Sequence, residues 1–117
     1  MTSDSNTDNI LKTLEAVIAE RQASPKPGSY TNELLAAGLP RIAQKVGEEG
    51  VETVVAALAQ DDAALLGEVA DLMYHLTVLL AVRGQSWDGV NAVLAERHLQ
   101  KSSAKADEVV TEPTHDE

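Results

Sequence analysis

KVGEEGVETVVAALAQDDAALLGEVAD, residues 45–71, decides the fold. It holds five carboxylates in two clusters, Glu48-Glu49-x-x-Glu52 and Glu68-x-x-Asp71. Carboxylates three and four apart share one face of a helix. At about 100° per residue, Lys45, Glu48, Glu49 and Glu52 fall in an arc of roughly 100°, and Val51, Val54, Val55 and Leu58 gather on the other side. After the break, Glu68, Asp71 and His75 form one stripe. Asp61-Asp62 breaks the pattern between them and offers an N-cap to the second helix. So short a break makes the two helices antiparallel neighbours. At a rise of about 1.5 Å per residue, Glu52 and Glu49 stand roughly 13 and 18 Å above the turn, and Glu68 and Asp71 roughly 10 and 15 Å. The heights overlap, so four carboxylates meet if the stripes face each other.

Carboxylates gathered in a partly buried site repel and take up protons unless cations neutralise them. Oxygen ligands select Mg²⁺, Mn²⁺ or Ca²⁺ over zinc, and Mg²⁺ favours sites shared with substrate phosphates. A di-iron bundle needs Glu-x-x-His. The residues three after Glu49 and Glu68 are Glu52 and Asp71, so iron does not fit. Solvated surface acids explain any one Glu, but Glu68 and Asp71 interrupt a helix that is otherwise almost wholly apolar. His75 reads as a core or supporting histidine rather than a ligand. Lys45 is placed either to pair with Glu49 or to meet a phosphate oxygen.

The rest of the chain supplies helices around this hairpin. Ile10, Leu11, Leu14, Val17 and Ile18 repeat at helical spacing, which predicts a helix over 9–23, capped by Asp8 or Asn9. Ser24-Pro-Lys-Pro-Gly-Ser29 is a loop. A short helix over 30–37 turns Leu34 and Leu35 inward and ends at Gly38. The next spans 40–60, with Pro40 in its first turn and Ile42, Val51, Val54, Val55 and Leu58 as apolar positions. Gly47 and Gly50 weaken it locally; close approach of a ligand or helix, and simple packing, explain them equally. The helix after Asp61-Asp62, running to residue 83, is apolar almost all round and predicts a buried element. Gly84 ends it, and Ser86 caps a last helix over 87–98.

No strand signal stands out. The expected fold is all-α: an antiparallel helical bundle of four to five helices, completed by homodimerisation. The organisation expected is a flexible N-terminal tail (1–8), a helical domain (9–100) and a disordered acidic C-terminal tail (101–117).

The formal charge is −10 over 117 residues, with no Cys. Nucleic-acid backbones need basic patches, so no nucleic-acid partner is expected. Thiol catalysis and zinc-thiolate sites are excluded. The run 76–82 is too short to span a bilayer, so no membrane partner is expected and the default is a cytoplasmic protein.

Ser29-Tyr30-Thr31, Lys45-Val-Gly-Glu-Glu49 and Ala70-Asp-Leu-Met-Tyr-His75 narrow the reading further. Across residues 11–98 the sequence resembles the phosphoribosyl-ATP pyrophosphatase family of histidine biosynthesis, in the all-α nucleotide pyrophosphohydrolase (MazG-like) superfamily. One departure is Gly50, where the family more often has Ala.

The resemblance implies hydrolysis of phosphoribosyl-ATP to phosphoribosyl-AMP and pyrophosphate, with Mg²⁺ (or Mn²⁺) as cofactor, in a homodimer. It implies metal ligands at Glu49, Glu52, Glu68 and Asp71, and Glu48 as a further ligand or water-orienting base. Lys45 then stands at the phosphates, Ser29, Tyr30 and Thr31 near the substrate, and Arg41 as a weaker phosphate contact. The rivals are a general (d)NTP pyrophosphatase of the same superfamily and a non-enzymatic, cation-binding dimerisation module. Nothing in the acids alone separates the first rival from the biosynthetic enzyme.

Overall fold

The structure, a computed structural model, describes residues 10–107, with side chains as far as residue 102. Five helices follow one another: α1 (Ile10–Ala23), α2 (Tyr30–Ala37), α3 (Leu39–Ala59), α4 (Asp62–Val82) and α5 (Trp87–Asp107). No strand occurs among the described residues, so the all-α expectation holds. Contacts divide the chain after Trp87. The first unit holds α1–α4.

The turns form where the sequence placed them. Ser29 caps α2 by accepting from the backbone N–H of Asn32 at 3.2 Å. Gly38, at φ +94°, ends α2 and opens α3 in a single residue. That backbone conformation is open to glycine and strained for other residues, so two helices meet at a sharp corner there. Pro40 follows in the first turn of α3. Asp61 caps α4 through its carboxylate, which accepts from the Ala64 N–H at 2.9 Å. With only Gln60 and Asp61 between them, α3 and α4 fold back on each other, and theirs is the most extensive helix pairing in the unit.

The core draws one wholly or almost wholly buried aliphatic residue from each of the four helices: Ile18, Leu34, Ile42 and Val78. Leu35, Tyr74, Leu79, Ala81 and Val82 pack around them. Trp87 closes the unit. Its backbone N–H donates to Glu15 at 2.7 Å, and its indole N–H donates to the buried hydroxyl of Thr77 at 2.8 Å.

Two expectations about burial are corrected. Of the apolar positions named for α3, only Ile42 is inside; Val51, Val54, Val55 and Leu58 are 64, 56, 46 and 83% exposed. The buried line is Ile42, Glu49 and Ala56, seven residues apart. Seven residues are close to two turns, so these three share one side of the helix, opposite the valines. The helix therefore turns its acid inward and its valine stripe outward. Likewise α4 is not buried all round: His75, Thr77 and Val78 are, while Leu66 is 68% exposed.

By length and composition alone α4 is long and apolar enough to cross a membrane, a longer apolar stretch than residues 76–82. Helix α4 packs on α1, α2 and α3 and carries Glu68, Asp71 and His75 along one side. Packing around Gly47 and Gly50 does not require glycine, since a Cβ at either would meet no atom within 4 Å.

Helix α5 is a unit of its own from Asp88 onward. It runs nine residues past the expected end at His98, to Asp107, so the first part of the segment read as a tail is helical. Small, helix-compatible residues (Ser102, Ser103, Ala104, Ala106) continue the helix without any apolar period to signal it. Val93, Leu94 and Leu99 on α5 are exposed. The expected tail over 1–8, the caps at Asp8 or Asn9, and the tail beyond residue 107 lie outside the described residues.

Candidate active site

Glu49 lies in the middle of the buried line of α3 and is 6% exposed. From α4, Glu68 and Asp71 face it: one carboxylate oxygen from each of the three lies within 4.8 Å of the other two. Opposed helix stripes at matching heights produce this meeting, as the spacing required. Glu52 completes the surroundings, although its side chain is exposed. Its charge acts on Glu68.

The electrostatics are those of uncompensated acids. The Glu49 carboxyl is pushed above its ordinary pKa, first by burial and then by the charges of Glu52 and Asp71; His75 and Lys45 oppose this. Glu68 is pushed up too, by loss of solvent, then by Glu52, Glu49 and Asp71. Glu49 Oε1 and Glu68 Oε1 are buried with no hydrogen-bond partner. Buried polar atoms without partners are rare, and each calls for an explanation. An ionised carboxylate only accepts, so what these two oxygens lack is a donor or a cation. Three acids from two helices with two such oxygens fit a hard divalent cation.

The other residues named from the sequence fall around this group. Lys45 forks between Glu48 Oε1 at 3.5 Å and Glu49 Oε2 at 3.8 Å. Glu48 is not brought to the three acids. It is exposed, accepts from Gln44 at 3.0 Å, and its pKa is lowered by Gln44 and then by Lys45 and Arg41. Arg41 is likewise exposed, and its charge acts on Glu48.

Ser29, Tyr30 and Thr31 prove to be joints between helices. Ser29 Oγ accepts from Arg21 Nη1 at 2.9 Å besides capping α2. The Tyr30 hydroxyl bonds His75 Nε2 at 2.9 Å, and the Thr31 hydroxyl bonds that of Tyr74. Two adjacent residues on α2 thus hold two adjacent residues on α4.

The buried His75 uses its other nitrogen, Nδ1, on the Asp71 carbonyl at 2.8 Å. A carbonyl only accepts, so Nδ1 donates to it, while Nε2 meets the Tyr30 hydroxyl. His75 is therefore a supporting residue, as read, and its two bonds connect Tyr30 to the backbone of Asp71. Tyr30→Phe leaves Nε2 of the buried ring without its hydrogen-bond partner. It is expected to cost about 1 kcal/mol of stability, read as a lower denaturant midpoint at unchanged slope.

Tyr74 was quoted from the sequence without a role, and Arg21 and Asn32 were not singled out. A usable signal existed for Tyr74. Polar atoms on a mostly apolar helix need partners, and the adjacent hydroxyls of Tyr30-Thr31 are one candidate pair.

The model of the phosphoribosyl-ATP pyrophosphohydrolase family matches residues 11–98. The chain belongs to that family. A phosphoribosyl-ATP pyrophosphatase of Sphingopyxis alaskensis is 52% identical over 86 residues, 73% of this chain and 79% of that protein. One of Novosphingobium aromaticivorans is 54% identical over 88 residues, 75% of this chain and 82% of that protein. The histidine biosynthesis bifunctional protein HisIE of Xanthomonas axonopodis pv. citri is 56% identical over 88 residues. The chain spans 43% of that protein's length. The family match includes the acid hairpin and coincides with the region that the sequence motifs delimit.

Proposed function

We propose that the chain hydrolyses phosphoribosyl-ATP to phosphoribosyl-AMP and pyrophosphate, the second step of histidine biosynthesis, with Mg²⁺ at the acid group and as a cytoplasmic homodimer. The observation that carries the reading is the convergence of Glu49, Glu68 and Asp71 with two buried oxygens left unpartnered. Family membership supports the choice of substrate.

In this reading Glu49, Glu68 and Asp71 hold the cation, and Glu52 supplies a fourth carboxylate beside Glu68. A bound divalent ion supplies positive charge against the polyphosphate and the charge that develops on bond cleavage. Lys45 adds a fixed positive charge at the rim. Glu48 holds Lys45 in place, since its lowered pKa makes it a weak base for water. Tyr30 and His75 fix the backbone at Asp71, and with it the direction of that carboxylate. No covalent intermediate is needed: water attacks phosphorus in line and pyrophosphate departs.

The exposed stripe Val51, Val54, Val55 and Leu58, at the i, i+3, i+4, i+7 spacing of one helix face, is the surface for a second copy. An exposed apolar surface rimmed by polar residues marks an interaction site.

The deciding experiment measures pyrophosphate release with Mg²⁺ from phosphoribosyl-ATP and from a panel of ribo- and deoxyribonucleoside triphosphates. Release from phosphoribosyl-ATP, at a kcat/KM at least tenfold above every other member, is expected. Equal rates across the panel would overturn the biosynthetic assignment, and release from no substrate would overturn the enzymatic one.

A further inference from the structure

One groove of the first unit lies away from the acids. It measures about 580 Å³ and sits between the end of α1, the 24–29 loop, α2 and the end of α4. None of the carboxylates of the acid group lines it. Arg21 and Lys26 bring two positive charges to it, while Pro25, Leu35 and Val82 give it an apolar wall.

In a chain of net charge −10, two cations in one groove are a local exception. Among the described residues, neither is within ion-pair distance of a carboxylate. Their backbones are also pinned. Asn32, itself a lining residue, accepts from the Lys26 backbone N–H at 2.7 Å and donates to the Arg21 carbonyl at 3.3 Å. Arg21 commits one of its five donors to Ser29, which orients the guanidinium and leaves the others for a ligand.

We infer that this groove binds the far phosphate monoester of the substrate, the one on the phosphoribosyl group; the inference rests on the substrate assigned above. Asp71 and Val82 are eleven residues apart on α4, so the acids and the groove are separated by about 16 Å along the helix. Tyr30, 46% exposed, lies between them: its hydroxyl reaches His75 beside the acids, and its helix carries Asn32 and Leu35 to the groove. A ligand that serves both places has a polyphosphate at one end, flat or apolar rings in the middle and a second anion at the other end. Phosphoribosyl-ATP has this form, with a ribose, a purine and a second ribose in line between its triphosphate and its monophosphate. A nucleoside triphosphate reaches the acids but has nothing to place on Arg21 and Lys26. The groove is therefore the feature that separates the biosynthetic substrate from ordinary nucleotides.

Lys26 is exposed, and the hydrogen bond to Asn32 uses its backbone alone, so replacing its side chain leaves the loop intact. Lys26→Glu is expected to raise KM for phosphoribosyl-ATP at least tenfold with a smaller effect on kcat, and Lys26→Arg to keep KM within twofold. The Ki of ATP as a competitor, which reports on the acid site alone, is expected to stay within twofold in both variants. Arg21→Ala is expected to follow Lys26→Glu in direction. An unchanged KM in Lys26→Glu and Arg21→Ala overturns the inference and shows that any phosphate taken by the groove is a separate molecule. Equal shifts in KM and in the Ki of ATP also overturn it, since they report a general loosening. No turnover of phosphoribosyl-ATP by the wild-type chain sinks the functional reading instead, and the inference with it.

Discussion

Glu49→Gln is expected to abolish pyrophosphate release, by at least ~100-fold in kcat, while raising the Tm of the metal-free protein at pH 7. The two effects have one cause. Glu49 is almost fully buried, faces Glu68 and Asp71, and has an oxygen without a partner. Its pKa is raised by burial and by its acidic neighbours, so the folded chain holds this proton more tightly than the unfolded chain. A carboxyl shifted in that direction favours folding most below its ordinary pKa. The contribution is lost as pH rises through the ordinary value towards the folded one. At pH 7 the metal-free wild type therefore bears the cost of that raised pKa, which the neutral amide does not.

The stability gap between variant and wild type should be smallest on the acid side, where the carboxyl is protonated in both the folded and unfolded chain, and widen as pH rises. Mg²⁺ should reverse the order. A cation that binds only the folded form stabilises by about 2.7 kcal/mol at one hundred times its Kd, and the variant has lost a ligand. Thermal melts with Mg²⁺ and with a chelator, alongside a pyrophosphate assay, test all of this. A metal-free variant less stable than wild type at pH 7, or one that keeps full activity, would falsify the assignment of Glu49.

How much of this was legible in the sequence depends on which physical rule each residue obeys. The hairpin was legible because its signals are local. Asp61 caps, Gly38 and Pro40 turn a corner, and the spacing of Glu49, Glu68 and Asp71 fixes their heights. The orientation of α3 about its own axis was not. Periodicity shows that valines and acids occupy opposite sides, and the usual rule that apolar residues go inside would place the acids in water. The structure has Glu49 on the buried line with Ile42 and Ala56. What turns the helix is the opposing stripe on α4, a tertiary fact that no window on α3 contains.

The polar joints were illegible for a related reason. Tyr30–His75 and Thr31–Tyr74 span 45 and 43 residues of sequence, and hydroxyls carry no periodicity. Nor does a groove announce itself in a sequence: Arg21, Lys26 and Asn32 lie in three different segments and meet only because Asn32 bonds the backbones of the other two.

Leu58→Glu is expected to split the proposed homodimer without unfolding the chain. In the single chain Leu58 is 83% exposed and belongs to the stripe with Val51, Val54 and Val55. A glutamate there meets water, and Glu is as good a helix former as Leu; its charge in the last turn of α3 opposes the helix dipole by only about 0.3–1 kcal/mol. In the dimer the same glutamate is removed from water without a partner. A buried unpaired charge costs about 3 kcal/mol, and two-fold symmetry imposes it twice, so the loss is about 6 kcal/mol, or roughly 10⁴-fold in Kd. Light scattering on a gel-filtration column should then give twice 12.4 kDa for the wild type and one chain for the variant, with equal helicity by circular dichroism. Leu58→Ala, which removes apolar area without adding charge, should fall between them. A wild type that runs as a single chain at high micromolar concentration would sink the homodimer, and a variant that stays dimeric would move the interface off α3. The acids and the valines occupy opposite sides of the same helix, so a bundle that closes on its own acids leaves its valines for a partner. The outward valine stripe is thus a consequence of building the acid site.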